Sequence, residues 1–297
     1  MNNENLLDVR PSPIAGMWYP GTESHLRAEL ASYFAAYPPQ DLAEADVEDD
    51  GLIALVVPHA GYRYSGATAA AAFQALRGKN YQKVIIVSPS HRAYINPLIT
   101  SGHDVYETPL GLVPVDHQSL NRLSILLQED KLSLKTVRFD QEHALEIELP
   151  FLQYTLKDDF QILPVMMLDQ REKTARALAK ALFALIQGFE LSEKVLLLAS
   201  TDLSHFHHQR VASELDGAFI KALQSGDARQ LYLASESGKT EACGLGPTAT
   251  ILELSKMLGA NTVTIADYRD SSFASGDKSS VVGYVSAIIR REDYENV

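Results

Sequence analysis

Short apolar runs alternate with amphipathic stretches along the chain, and these two periodicities give its outline. Largely apolar, β-branched runs at residues 52–57, 83–87, 160–166, 194–198 and 262–266 predict short strands covered on both faces. A later run, residues 280–289, is apolar at Val282, Tyr284, Val285, Ala287, Ile288 and Ile289 and predicts a final strand. Between the runs, residues 65–76, 120–127, 173–186, 211–223 and 247–258 predict helices. The first is alanine-rich and follows Ser65, a residue suited to N-capping; the last opens on Pro247, favoured at the first helical position. Strands alternating with helices predict an α/β fold, with a mainly parallel or mixed central sheet and helices on both faces. Residues 41–51 carry six acidic side chains (Asp41, Glu44, Asp46, Glu48, Asp49, Asp50) and predict a solvated loop, as do the polar residues 235–239. No linker, repeat or low-complexity tract divides the chain. Residues 1–297 therefore read as one domain, with an N-terminal extension of about residues 1–50 packed on the α/β core.

Composition narrows the classes. The 297 residues are 46% hydrophobic and 22% charged, ordinary globular usage that argues against global disorder. The 26 basic and 38 acidic residues leave a formal charge of −12, unsuited to gripping a phosphate backbone, so no nucleic-acid partner is expected. The one cysteine, Cys243, cannot form an intrachain disulfide. No apolar run approaches the roughly 20 residues of a membrane span, and the first residues carry no basic-then-apolar leader. The expectation is a cytoplasmic protein without a membrane partner.

Several motifs fail on inspection. Ser237-Gly-Lys-Thr240 ends like a phosphate-binding loop, but Leu233 stands where the earlier glycine is required. Gly244-Leu-Gly-Pro-Thr-Ala249 fits a relaxed dinucleotide pattern without a buried strand before it. Neither Gly-x-Ser-x-Gly nor His-Glu-x-x-His occurs, which argues against a serine hydrolase or a zincin.

The histidines carry more information. Three of the nine sit just past predicted strand ends: His59 in Pro58-His59-Ala-Gly-Tyr-Arg-Tyr-Ser-Gly66, His91 in Ser88-Pro-Ser-His91, and His205 in Ser200-Thr-Asp202-Leu-Ser-His205. Ligands of open α/β sheets bind in the crevice beyond those ends. A single histidine there is more often a capping or hydrogen-bonding group; three, each among Gly, Pro or Ser, point to a site. Cys243, between small residues and ahead of a helix, is a further candidate, or else a small buried hydrophobe. His59, His91 and Cys243 would form a two-nitrogen, one-sulfur set suited to iron, copper or zinc, with a coordination position open. His205 would then serve as acid/base, and Asp202 would orient it or hold a substrate proton.

Asp140-Gln-Glu142-His143 predicts an N-capped helix carrying Glu142 and His143 in its first turn, kinked or ended by Pro150; that pair reads as pocket-lining. Tyr62, Arg63 and Tyr64 would bind an anionic or aromatic ligand, or simply cover the loop. Asp277, in Ser275-Gly-Asp277, is another pocket turn or an ordinary loop. Asp116-His117 reads as a helix start, and His25, His103, His117, His207 and His208 take surface or packing roles.

These residues together resemble the MEMO family. The resemblance is carried by residues 10–21 (Arg-Pro-Ser-Pro-Ile-Ala-Gly-Met-Trp-Tyr-Pro-Gly), the His59 and His91 loops, Glu142-His-Ala-Leu-Glu-Ile-Glu-Leu-Pro-Phe151, Ser200-Thr-Asp-Leu-Ser-His205 and Ala242-Cys-Gly244. Bacterial and archaeal members are called AmmeMemoRadiSam system protein B. The resemblance implies a fold similar to class III extradiol dioxygenases, which hold iron with two histidines and a carboxylate. It implies that His59 and His91 correspond to the metal histidines, His205 to the acid/base, and Cys243 to the position of the carboxylate ligand. A thiolate there is softer and more easily oxidised, so ring cleavage does not follow from the fold. The resemblance also implies AMMECR-type and radical-SAM proteins as partners. Three readings compete: a metal-dependent redox protein, dioxygenase-like, acting on a small substrate at an iron or copper site; a non-catalytic module capturing a peptide or protein in the same pocket; and a thiol enzyme with Cys243 as nucleophile.

Overall fold

The computed structural model describes residues 7–36, 51–92, 96–190 and 193–291. The strands are β1 (Val9–Arg10), β2 (Leu52–Val57), β3 (Lys83–Pro89), β4 (Leu98–Ser101), β5 (Val105–Thr108), β6 (Gly111–Pro114), β7 (Leu134–Val137), β8 (Gln161–Met167), β9 (Val195–Ser200), β10 (His205–His207), β11 (Ala260–Asp270) and β12 (Val281–Arg291). The helices are α1 (Glu23–Ala35), α2 (Tyr62–Phe73), α3 (His117–Leu126), α4 (Leu149–Thr155), α5 (Glu172–Ile186), α6 (Gln209–Gln224), α7 (Ala228–Glu236), α8 (Leu245–Met257) and α9 (Ser272–Ser275).

The fold is α/β. A mixed sheet runs β10-β12-β2-β9-β3-β8-β4-β7, with β11 paired to β12, and helices lie on both sides. Its centre, β2-β9-β3-β8, is parallel. Parallel strands are buried on both faces, which is why these four read as continuous apolar runs. Leu55, Val57, Ile85, Val87, Leu197 and Leu198 are fully buried, each stabilising the fold by about 1.5–3 kcal/mol relative to exposure. A smaller sheet, β1-β5-β6, brings the N-terminal strand beside β5. Helix α1 buries Leu26, Leu30 and Phe34 in the same hydrophobic cluster as the central strands.

Several expectations shift. Residues 262–266 lie in β11, an eleven-residue strand paired antiparallel along β12 and only partly buried, not a strand covered on both faces. The helix expected from Ser65 begins at Tyr62, and the one expected from Pro247 begins at Leu245. The largest correction falls on residues 140–150. Asp140 caps no helix: its Oδ1 accepts from the Glu142 N–H at 3.2 Å, but the chain turns there without continuing as helix, and the Arg10 guanidinium holds both its oxygens, Nη2 at 2.9 Å and Nε at 3.1 Å. Glu142 and His143 sit in an irregular turn instead, and α4 starts only at Leu149, with Pro150 in its first turn where proline is tolerated. Asp116 does cap α3, accepting from the Ser119 N–H at 2.9 Å. The acidic residues 41–50 lie outside the described residues.

Candidate metal centre

Strand order builds the site. In β2-β9-β3 the register sets Val57 level with Ser200, and Val87 level with Ala199. The three carboxyl ends therefore finish side by side, and His59, Asp202 and His91 follow them into one crevice. Cys243 arrives from the loop ahead of α8. The Asp202 N–H donates to its sulfur at 3.2 Å, and the Cys243 N–H donates to the Asp202 carbonyl at 3.3 Å. Gln170 clamps the same loop twice: Nε2 donates to the Cys243 carbonyl at 2.7 Å, and Oε1 accepts from the Gly246 N–H at 2.9 Å. At Gly244 the loop runs so close to β9 that a Cβ would stand 2.3 Å from the Ser200 carbonyl oxygen.

Nε2 of His59 lies 3.1 Å from Cys243 Sγ, and the ligand atoms of His59, His91 and Cys243 all lie within 4.8 Å of one another. Each imidazole is steadied on its other nitrogen. His59 Nδ1 is 2.7 Å from Ser200 Oγ, and His91 Nδ1 is 2.9 Å from Glu142 Oε1. The His91 backbone N–H donates to Oε2 of the same carboxylate. His143 completes a nest of imidazoles: its ring stacks on His91 (centroids 4.8 Å apart, 16° between planes) and stands edge-on to His59 at 5.6 Å. The Trp18 ring packs against it, centroids 4.2 Å apart and planes tilted by 42°.

Burial keeps His59 and His143 unprotonated. Burial, with the neighbouring His91 and His205, draws His59 down to about 3 against the pull of Glu142. Burial beside His59 likewise draws His143 down to about 3. Burial alone would raise Glu142, but the His91 ring and the Ala144 N–H hold it at about 2, so it is ionised near neutrality. Burial lifts Asp202 to about 6, opposed by the His59 N–H and by His205. Burial also pushes the Cys243 thiol up, with Asp202 adding, which disfavours a free thiolate nucleophile. A cation that displaced this proton would face the neutral His59 imidazole, the His91 ring and one thiolate.

Among the residues singled out from sequence, His59, His91, Cys243, Glu142, His143 and Asp202 come together. His205 opens β10, half-buried and paired opposite Val282, with its field reaching His59 and Asp202. Tyr62 is a core residue rather than pocket lining: it packs against Tyr19 and Phe151 and donates its hydroxyl to the Ile147 carbonyl at 2.8 Å. Arg63 is exposed, its guanidinium over the Tyr64 ring. Asp277 is exposed and spends its carboxylate on its own turn, accepting from the Ser279 N–H at 2.8 Å.

Sequence reasoning missed the supports. Ser200 ends an otherwise apolar strand, and that lone hydroxyl was the available signal. Trp18 lies in the 10–21 stretch that carries the family resemblance, while Gln170 carried no signal. Arg10, 1% exposed, binds Asp140 and Glu146 and donates to the Glu142 carbonyl at 2.9 Å, so the N-terminal strand pins the turn that holds His91.

The family model described as Memo-like protein matches residues 10–288. A MEMO1 family protein of Methanosarcina mazei is 32% identical over 284 residues, covering 95% of this chain and all of that one. A MEMO1 family protein of Thermotoga neapolitana is 34% identical, covering 95% of this chain and 99% of that one. Among solved structures, an uncharacterised protein of Escherichia coli K12 shares the fold, with a TM-score of 0.53 at 13% identity, over 80% of this chain and 99% of that one.

Proposed function

The chain belongs to the Memo family, and from that premise and the geometry of the crevice we propose that it holds a redox-active iron or copper ion through His59, His91 and Cys243. One observation carries the reading. Both imidazoles have Nδ1 engaged, by Ser200 and by Glu142, so Nε2 is the nitrogen left to ligate, and for His59 that atom faces the sulfur. Carboxylate–histidine support of this kind is what ligating histidines ordinarily show. The donor set suits a soft or borderline transition metal and disfavours magnesium or calcium. Bound there with a position open, such a metal supplies Lewis acidity and one-electron chemistry to a small substrate or peptide.

The protein's own groups have separable tasks in an oxidoreductase of this dioxygenase-like kind. Ser200 and Glu142 orient the ligands. His205, at the edge of the crevice, gives or takes a proton. Asp202 positions both His59 and Cys243 through its backbone and carboxylate bonds. His143 and Trp18 wall the crevice.

Metal analysis of untagged protein tests the proposal. Near-stoichiometric iron or copper in the wild type, lost in His59→Ala and Cys243→Ala, is the expected result. Metal-free wild type after growth and handling under reducing, metal-replete conditions would overturn it. Peptide capture that survives His205→Ala and metal removal would favour the binding-module reading.

A further inference from the structure

Ser200 has three polar neighbours and one proton. Its Oγ lies 2.6 Å from the carbonyl oxygen of Ala144, 2.7 Å from His59 Nδ1 and 2.9 Å from Glu148 Oε1. All four residues are at most 2% exposed. The Ala144 carbonyl has no proton to give, and two oxygens 2.6 Å apart need one between them. The proton there is that of the Ser200 hydroxyl. Two lone pairs remain on Oγ, and His59 and Glu148 must both donate to them.

We infer that Glu148 is a neutral carboxylic acid in the folded protein, donating its O–H to Ser200, and that through Ser200 it positions His59 with hydrogen on Nδ1. Its purpose rests on the metal reading above; its protonation does not. An ionised Glu148 would set a lone pair against a lone pair, or would draw the Ser200 proton away from Ala144. It would also stand buried with Asp202 as a charged neighbour of the same sign. A negative carboxylate behind Ser200 would favour a second proton on His59, and an imidazolium cannot ligate. The neutral acid leaves the hydroxyl committed to Ala144 and the imidazole neutral, its Nε2 lone pair toward Cys243. Glu148 is thus a positioning residue, acting on the site without touching it.

Infrared difference spectroscopy on the metal-free full chain near pH 7, wild type minus Glu148→Gln, reads the protonation directly. The expected result is the carbonyl stretch of a carboxylic acid in the wild type, shifted in D₂O and absent from Glu148→Gln; its absence from the wild type would overturn the inference. Ring ¹⁵N shifts read the positioning: His59 should carry hydrogen on Nδ1 in wild type and in Glu148→Gln, whose amide N–H₂ replaces the donor. Glu148→Leu removes it, and metal affinity should fall by about 10-fold or more, with Glu148→Gln retaining most of it. Should Glu148→Leu not fold, the wild-type and Glu148→Gln spectra still decide. An unchanged His59 tautomer and metal affinity in folded Glu148→Leu would overturn the positioning role. An acid band in protein that binds no metal would leave Glu148 as inferred and remove the metal reading alone.

Discussion

His91 and Glu142, 51 residues apart in sequence, are joined twice: the ring Nδ1 lies 2.9 Å from Oε1, and the backbone N–H donates to Oε2. The carboxylate is fixed in turn by the N–H groups of His143 and Ala144, each at 3.0 Å. One buried side chain thereby sets both the ring and the main chain of a ligand.

Glu142→Gln keeps the shape but places an amide where a charged acceptor stood. Metal affinity should fall about 10- to 100-fold, measured by competition with a chelator. Unchanged affinity would mean that His91 needs no such partner.

Gln170→Ala removes the two bonds that Gln170 makes to the Cys243 loop and leaves those from Asp202. Cys243 should then react faster with an alkylating reagent in metal-free protein, and metal should bind more weakly. Gln170→Glu, which can still accept from Gly246 but cannot donate to the Cys243 carbonyl, should fall between. Equal alkylation rates in all three proteins would show that the loop holds itself.

Gly244→Ala would bring a methyl 2.3 Å from the Ser200 carbonyl and 2.5 Å from Thr201 Cβ. Both neighbours belong to the end of β9 or the turn after it, so neither yields cheaply. Overpacking of this kind costs about 1–3 kcal/mol. Chemical denaturation should show that loss, together with weakened metal binding.

Away from the crevice, Lys83 at the start of β3 pairs with Asp116 at the cap of α3 and lies 3.3 Å from Glu193. Burial opposes both charges, yet the mutual hydrogen bond holds Asp116 below its ordinary value of 3.8 and Lys83 above its ordinary 10.5. The Asp116 contribution is present above about pH 4 and is lost as pH falls through the lower folded value. The Lys83 contribution is present below about pH 10.5 and is lost as pH rises through the higher folded value. Thermal unfolding against pH should show both flanks. Asp116→Asn, which retains the cap, should flatten the acid flank; identical acid flanks in the two proteins would refute the assignment.

Features set by neighbours within a few residues were legible in the chain. Apolar runs at 52–57, 83–87 and 194–198 become parallel strands buried on both faces, and His59 and His91 follow strand ends because that order is written in the chain. Asp116 caps its helix through a bond to Ser119, three residues away. Tertiary structure alone decided that β9 lies between β2 and β3, so that those ends share a crevice, and that Cys243 reaches His59 across 184 residues. It also decided the partners: Ser200 for His59, Gln170 for the cysteine loop, and Arg10 for Asp140, whose turn does not continue into the helix that local spacing favoured. Periodicity registers only which face of an element is dry. Which distant donor meets which acceptor depends on strand order and packing, quantities carried by the whole chain and by no single stretch of it.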